Sequence, residues 1–286
     1  MITAVLGVLG ALTVWFGAVF GKDFSSNKDN LNPNNSWGKV IGIGFVTDFF
    51  DTLGIGSFAP TTALLRMMKQ SEDRVIPGTL NVSHTIPVVM EAFIFMKVIE
   101  VEPITLVAML AAATIGAYAG AGIVSKMDEK KVQMFMAVAL LVTVGLMVAG
   151  QVGIMPGGGE AIGLTGGKLI AAVVGNFILG ALMTAGIGLY APCMALIYIL
   201  GMSPRVAFPI MMGSCAFLMP VASVKFIKEA AYDRRASMGI TIGGAVGVII
   251  AAYIVKSLPL NVLKWLVDAV ILYTSFTLFK SATSNK

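Results

Sequence analysis

Seven stretches of the chain, each close to the 20 or so residues that an α-helix needs to cross the hydrocarbon core of a bilayer, are dominated by apolar side chains: residues 1–20, 74–97, 103–125, 132–151, 205–229, 236–255 and 259–279. A chain built this way has few folds open to it other than a polytopic membrane protein. A soluble domain carries about 25% charged residues. Here 12% are charged and 57% hydrophobic, and the mean hydropathy is +0.88, which excludes an ordinary soluble fold. The longest polar stretches, residues 21–39 and 155–168, read as loops, so residues 1–286 are expected to form one membrane domain. Residues 1–20 lack the positive start and the small-residue cleavage site of a signal peptide and read as a retained helix. The net charge of +5 sits in short loops between apolar runs, as cytoplasmic loops carry it, and no nucleic-acid partner is expected. Cys193 and Cys215 both lie in apolar runs, so neither a disulfide framework nor a metal site is indicated.

Two further apolar runs, residues 39–66 and 168–201, are interrupted. Their centres read Thr52-Leu53-Gly54-Ile55-Gly56-Ser57-Phe58-Ala59-Pro60 and Thr184-Ala185-Gly186-Ile187-Gly188-Leu189-Tyr190-Ala191-Pro192. Glycine costs about 1 kcal/mol in a helix interior and proline about 3, so each run should unwind locally and restart as a helix at its proline. The two centres are related by an offset of 132, with 8 of 13 positions identical between Thr52 and Leu64 and their partners. Arg74-Val75 and Ser83 find partners in Arg205-Val206 and Ser214 at an offset of 131. This marks a duplication, with residues 38–151 as one half, 168–283 as the other, and residues 1–20 as an extra helix in front.

Loop charge discriminates between topologies. If all nine segments cross, the two sides carry 9 and 11 Lys and Arg. If the broken segments are hairpins that enter and leave on one side, 15 of the 20 positive residues share a side. Positive residues favour the cytoplasm. The second topology is therefore predicted: a multi-pass plasma-membrane protein with its N-terminus outside and its C-terminus cytoplasmic. Each half then has three crossings, and an odd number inverts the second half. The predicted fold is an all-α polytopic membrane protein of two inverted repeats, each with a broken re-entrant helical hairpin plus three spanning helices, and one extra N-terminal helix.

Unpaired backbone is costly in lipid and survives only inside protein or beside a watery cavity. Two breaks in matching places of inverted halves point to a midplane substrate site. Close packing through small residues accounts for Gly186 and Gly188 alone, but not for the repeated proline. The restarted half-helices should begin near residues 57–60 and 189–192. A helix N-terminus exposes free N–H groups and roughly half a positive charge, so two of them meeting form an anion site without a buried cation. The predicted substrate-binding set is Thr52, Gly54, Gly56, Ser57, Thr61, Asn81 and His84 from the first half. From the second come Thr184, Gly186, Gly188, Tyr190, Cys193 and Ser214. Thr62 offers a further hydroxyl, and Asn176 a further amide.

These residues carry a resemblance. The paired elements Gly54-Ile55-Gly56 with Pro60 and Gly186-Ile187-Gly188 with Pro192, the duplication and the chain length resemble the TauE/SafE family of sulfite and organosulfonate transporters, also called the toluene-sulfonate uptake permease family. The resemblance spans about residues 38–283. Many members carry Gly-Thr-Ser in the helix after each break; Gly213-Ser214 retains part of it, and Asn81-Val82-Ser83 departs from it. The resemblance implies movement of sulfite, sulfonates or related sulfur anions.

Asp48 and Asp51 lie three apart, on one helix face, and their counterparts are Gly180 and Met183. Intramembrane carboxylates often belong to proton or ion pathways. The two acids are read either as a proton or cation coupling site, or as structural groups that sit in the hydrated cytoplasmic mouth of the hairpin or pair with Arg66 or Lys69. Glu91, two turns beyond the only histidine, His84, is either a further coupling carboxylate or a group near the opposite surface. The methionines are read as packing, and Lys225, Lys228, Arg234 and Arg235 as a cytoplasmic rim. No nucleotide-binding Gly-rich motif is present, nor a His-Glu-x-x-His pattern. The expected function is a secondary transporter with no cofactor and no enzymatic activity, taking a small anion as substrate and a proton or cation as coupling ion. An anion-selective channel using the same site is the alternative.

Overall fold

The computed structural model describes residues 2–96, 100–155, 158–253 and 261–284. Among them the chain is helical almost throughout: α1 Ile2–Ser26, α2 Trp37–Thr52, α3 Phe58–Met67, α4 Ile76–Phe95, α5 Pro103–Val124, α6 Glu129–Gln151, α7 Gly166–Met183, α8 Tyr190–Ile199, α9 Pro204–Lys228, α10 Arg234–Tyr253 and α11 Asn261–Thr283. Six of these (α1, α5, α6, α7, α9 and α10) are long and apolar enough to cross a membrane. The segment ends predicted at Met1, Lys97, 254–255 and 259–260 lie outside the described residues.

Local chemistry explains where the helices begin. Proline stands in the first turn of α4, α5 and α9, where no N–H is needed. Glu102 caps α5 by accepting from the N–H groups of Ile104 and Thr105, and Asp128 caps α6 through Lys131. Bonding to Thr105 holds the Glu102 carboxyl below the usual carboxylate range, and bonding to Lys131 does the same for Asp128. The first predicted boundary needs correction. α1 does not stop at Phe20 but continues through Gly21-Lys22 to Ser26. Its polar last turn has protein partners: Asp23 accepts from Arg234 Nε at 2.7 Å and from the Tyr232 hydroxyl at 2.6 Å. Arg234 and Arg235 are accordingly not a free rim, since Arg235 donates to Asn35 O at 2.9 Å.

Helices α4 and α9 pack on each other at the centre. Around them α2 lies along α10, and α5 along α7. Small residues make both contacts close: a Cβ at Gly44 would fall 2.2 Å from Ile240 O, and one at Gly180 would fall 2.1 Å from Ala113 O. Pro87 inside α4 cannot bond the Ser83 carbonyl one turn back. Thr241 Oγ1 of α10 donates to that carbonyl at 2.7 Å instead, so the central helix keeps its backbone satisfied.

Both hairpins close on themselves. Next to the start of α2, Asn35 Nδ2 donates to Gln70 O at 3.2 Å, and Ser36 N donates to Gln70 Oε1 at 2.7 Å, just beyond α3. The same end holds Asp233, ahead of α10, which accepts from Asn35 Nδ2 at 2.8 Å. In the second hairpin Lys168 Nζ of α7 donates to Leu200 O after α8, at 3.1 Å. That closure adjoins the start of α5, where Glu102 N donates to Ile162 O at 2.9 Å and Leu164 N to Thr105 Oγ1 at 2.9 Å. With 10 residues each, α3 and α8 are about 15 Å long, half a hydrocarbon core.

Candidate functional site

The breaks form because three glycines take backbone angles that a side chain resists. Gly54, Gly56 and Gly186 have φ of 91°, 92° and 99°, in the left-handed region. Gly188 is not left-handed, so the second break is a variation on the first rather than a copy. After each break a half-helix starts without a side-chain cap at Ser57 or Leu189. The first helical bonds are Thr61 N to Ser57 O and Cys193 N to Leu189 O. Pro60 and Pro192 stand just before those donors and have no N–H to give. The N–H groups of Phe58, Ala59, Tyr190 and Ala191 are left without a hydrogen-bond partner among the described residues.

All four of those residues line a single cavity of about 40 Å³, roughly the room three waters take. The rest of the wall includes Asp51, Gly56, Ser57, Thr143, Met183, Gly188 and Cys215. A wider vestibule of about 530 Å³ adjoins it, shares Ile55, Met147, Tyr190 and Ala191 with it, and reaches Gln151, Lys264 and Trp265.

Acidic side chains gather behind the first half of the wall. Ser57 Oγ donates to Asp51 Oδ2 at 2.7 Å, and Asp51 Oδ1 has no partner. His84 Nδ1 lies 2.7 Å from Asp48 Oδ1, and His84 Nε2 lies 3.0 Å from Thr61 Oγ1. Glu91 accepts from Thr52 Oγ1 at 2.8 Å and from the Tyr190 hydroxyl at 3.1 Å, joining α4 to both hairpins. Asp48, Asp51, His84 and Glu91 are all buried. Helices α2 and α4 bring them together: Asp48 and Asp51 do share a face, and α4 runs through the molecular centre. Asp48 pairs with His84 rather than with Arg66, whose partner is Asp73 at 2.8 Å. Glu91 is buried beside the site rather than near a surface.

Of the residues expected at the site, Gly56, Ser57, Gly188 and Tyr190 line the cavity together with Asp51. Thr52, Thr61, His84, Asp48 and Glu91 stand directly behind it through the bonds above. Others fall elsewhere. Gly54 faces the vestibule. Thr62 bonds within α3, to Phe58 O. Asn81 Nδ2 bonds to Pro77 O within α4. Thr184 donates to Ala181 O. Gly186 packs near Leu80 and Met136, and Cys193 is buried away from the cavity wall. Ser214 is tied to Asn176 at 2.9 Å.

The expectations left out Thr143, Met147, Met183 and Cys215, all of which line the wall. Met147 and Met183, read as packing, stand on the wall itself. The offset held the signal for two of them: Met183 is the repeat partner of Asp51, and Cys215 is the partner of His84. Thr143 is the only hydroxyl-bearing residue in α6.

Compared with protein-family models, residues 1–147 match the model described as Sulfite exporter TauE/SafE, a span that includes the first break and half of the 286 residues. No curated protein and no solved structure matches. With its apolar spanning helices and this match, the chain is a multi-pass membrane protein that belongs to the sulfite exporter TauE/SafE family of membrane transporters.

Proposed function

We propose that this protein is a secondary transporter carrying a small sulfur oxyanion, of the sulfite or organosulfonate type, and that the anion sits between the N-termini of α3 and α8. One observation carries this reading: four unpaired backbone N–H groups, from Phe58, Ala59, Tyr190 and Ala191, belong to residues lining the same cavity. Free amides at helix starts attract anions. A cradle of this kind, without a cationic side chain in its wall, also lets the anion leave again.

The coupling ion is a proton, handled by Asp48, Asp51 and Glu91 with His84. One imidazole cannot balance three carboxylates, and an anion entering beside them is repelled until protons make up the difference. The halves, residues 38–151 and 168–283, act as inverted repeats that move against each other. Support comes from the hairpin closures, one beside the start of α10 and the other beside the start of α5. It comes also from the reciprocal pairing of α2 with α10 and α5 with α7. The first closure lies on the side that holds most of the Lys and Arg, which supports a cytoplasmic C-terminus in the plasma membrane. The vestibule on one flank of a small cavity favours alternating access over a channel.

The test is a thermal-shift panel on purified protein with sulfite, sulfate, thiosulfate, taurine, sulfoacetate and chloride, followed by counterflow in proteoliposomes. Stabilisation by sulfur oxyanions and saturable counterflow are expected. Stabilisation by cations or neutral solutes alone rules out the anion site, and ohmic single-channel currents rule out the transporter.

A further inference from the structure

One residue of the cavity wall keeps an acceptor without a donor. Asp51 is 2% exposed. Its Oδ2 takes the Ser57 hydroxyl, and its Oδ1 has no partner among the described residues. The neighbouring polar groups are already engaged. Both Glu91 oxygens are bonded, to Thr52 and Tyr190. The Thr143 hydroxyl donates to Ala139 O. The free Oδ2 of Asp48 faces Gly244 of α10, where an added Cβ would fall 2.0 Å away. At the position related to Asp51 by the repeat stands Met183, also on the wall. The cavity is therefore polarised, with free N–H groups from two half-helices and, on the α2 side, a wall carboxylate that has one unpartnered oxygen. Four donors suit the oxygens of an oxyanion. The bare acceptor repels a further oxygen and needs a hydrogen.

We infer that the site selects monoanions bearing a donor hydrogen, such as hydrogen sulfite or an amino-substituted sulfur oxyanion, with that hydrogen given to Asp51 and the oxygens to the half-helix amides. This rests on the anion site proposed above. Asp51 is then a specificity-determining residue: it turns away oxyanions of the same shape and charge that lack the hydrogen.

Sulfamate and methanesulfonate separate the cases, because both are tetrahedral monoanions at neutral pH and only sulfamate offers N–H groups. Isothermal titration of the purified, full-length protein at one neutral pH should show sulfamate bound at least about tenfold more tightly than methanesulfonate, the expected scale of a charge-assisted hydrogen bond. Equal affinity, or tighter methanesulfonate, overturns the inference, since Asp51 would then carry the proton and donate to any oxyanion. In Asp51→Asn the Ser57 hydroxyl can take the amide oxygen, which leaves the NH2 for the cavity. The preference should vanish or reverse, and a preference that persists overturns the role of Asp51. The wild-type comparison stands without any variant. If neither compound nor sulfite binds, the anion site itself fails, an outcome distinct from equal binding of the two.

Discussion

Gly188→Ala isolates the cavity from the fold. An added Cβ at Gly188 meets nothing within 4 Å, and its φ lies outside the left-handed region. The substitution therefore brings neither clash nor backbone strain. Its methyl points into open space at the wall of the cavity of about 40 Å³ and takes up about the room of one water. An anion pushed off one half-helix loses at least one charge-assisted hydrogen bond, worth about 1.5–3 kcal/mol. The Kd for sulfite should thus rise about 10- to 150-fold, while thermal unfolding in detergent stays at the wild-type temperature. Gly56→Ala is the contrasting case. Its Cβ is equally free, but φ is 92°, so a left-handed alanine costs a further 1–2 kcal/mol or so of stability. Binding is measured by isothermal titration and transport by counterflow of radiolabelled sulfite. Wild-type affinity and KM in a well-folded Gly188→Ala protein would refute the placement of substrate in this cavity.

Asp51→Asn, with Asp48, His84, Glu91, Tyr190 and Cys215 left in place around it, should remove the pH dependence of sulfite uptake; an unchanged profile leaves Asp51 a structural role. Thr241→Val strips the donor from the Ser83 carbonyl that Pro87 leaves open and should cost about 1–3 kcal/mol of stability, read as a lower unfolding temperature. The caps at Glu102 and Asp128 should be fully formed at neutral pH. Because hydrogen bonds hold both carboxyls below their ordinary range, the caps are lost only as pH falls through those lowered values. A fall in protection of the Thr105 and Lys131 amides, measured relative to the intrinsic exchange rate at each pH, should appear on acidification and not between neutral and mildly basic pH, which checks the sign.

Much of the architecture was legible because the bilayer imposes a single length scale. An apolar run of about 20 residues has to be a helix, and a Gly-x-Gly followed by Pro60 or Pro192 has to interrupt one. Those rules are local, so they located α5, α6 and α10 within a few residues and both breaks outright. They also brought Gly56, Ser57, Gly188 and Tyr190 to one cavity, because a repeated break in a duplicated chain implies a shared axis. The end of α1 was illegible. Whether Asp23 stops a helix depends on Arg234 and Tyr232, which are more than 200 residues away.

The sequence alone determined that the chain is helical, lives in a membrane, is broken twice at related places, and carries an acid pair, Asp48 and Asp51, beside the first break only. Tertiary structure alone decided which groups meet. Asp48 with His84, Glu91 with both Thr52 and Tyr190, and the bare oxygen of Asp51 arise from helices far apart in the chain. Periodicity fixes the face a residue occupies on its own helix, whereas the partner it meets depends on how the helices pack against one another.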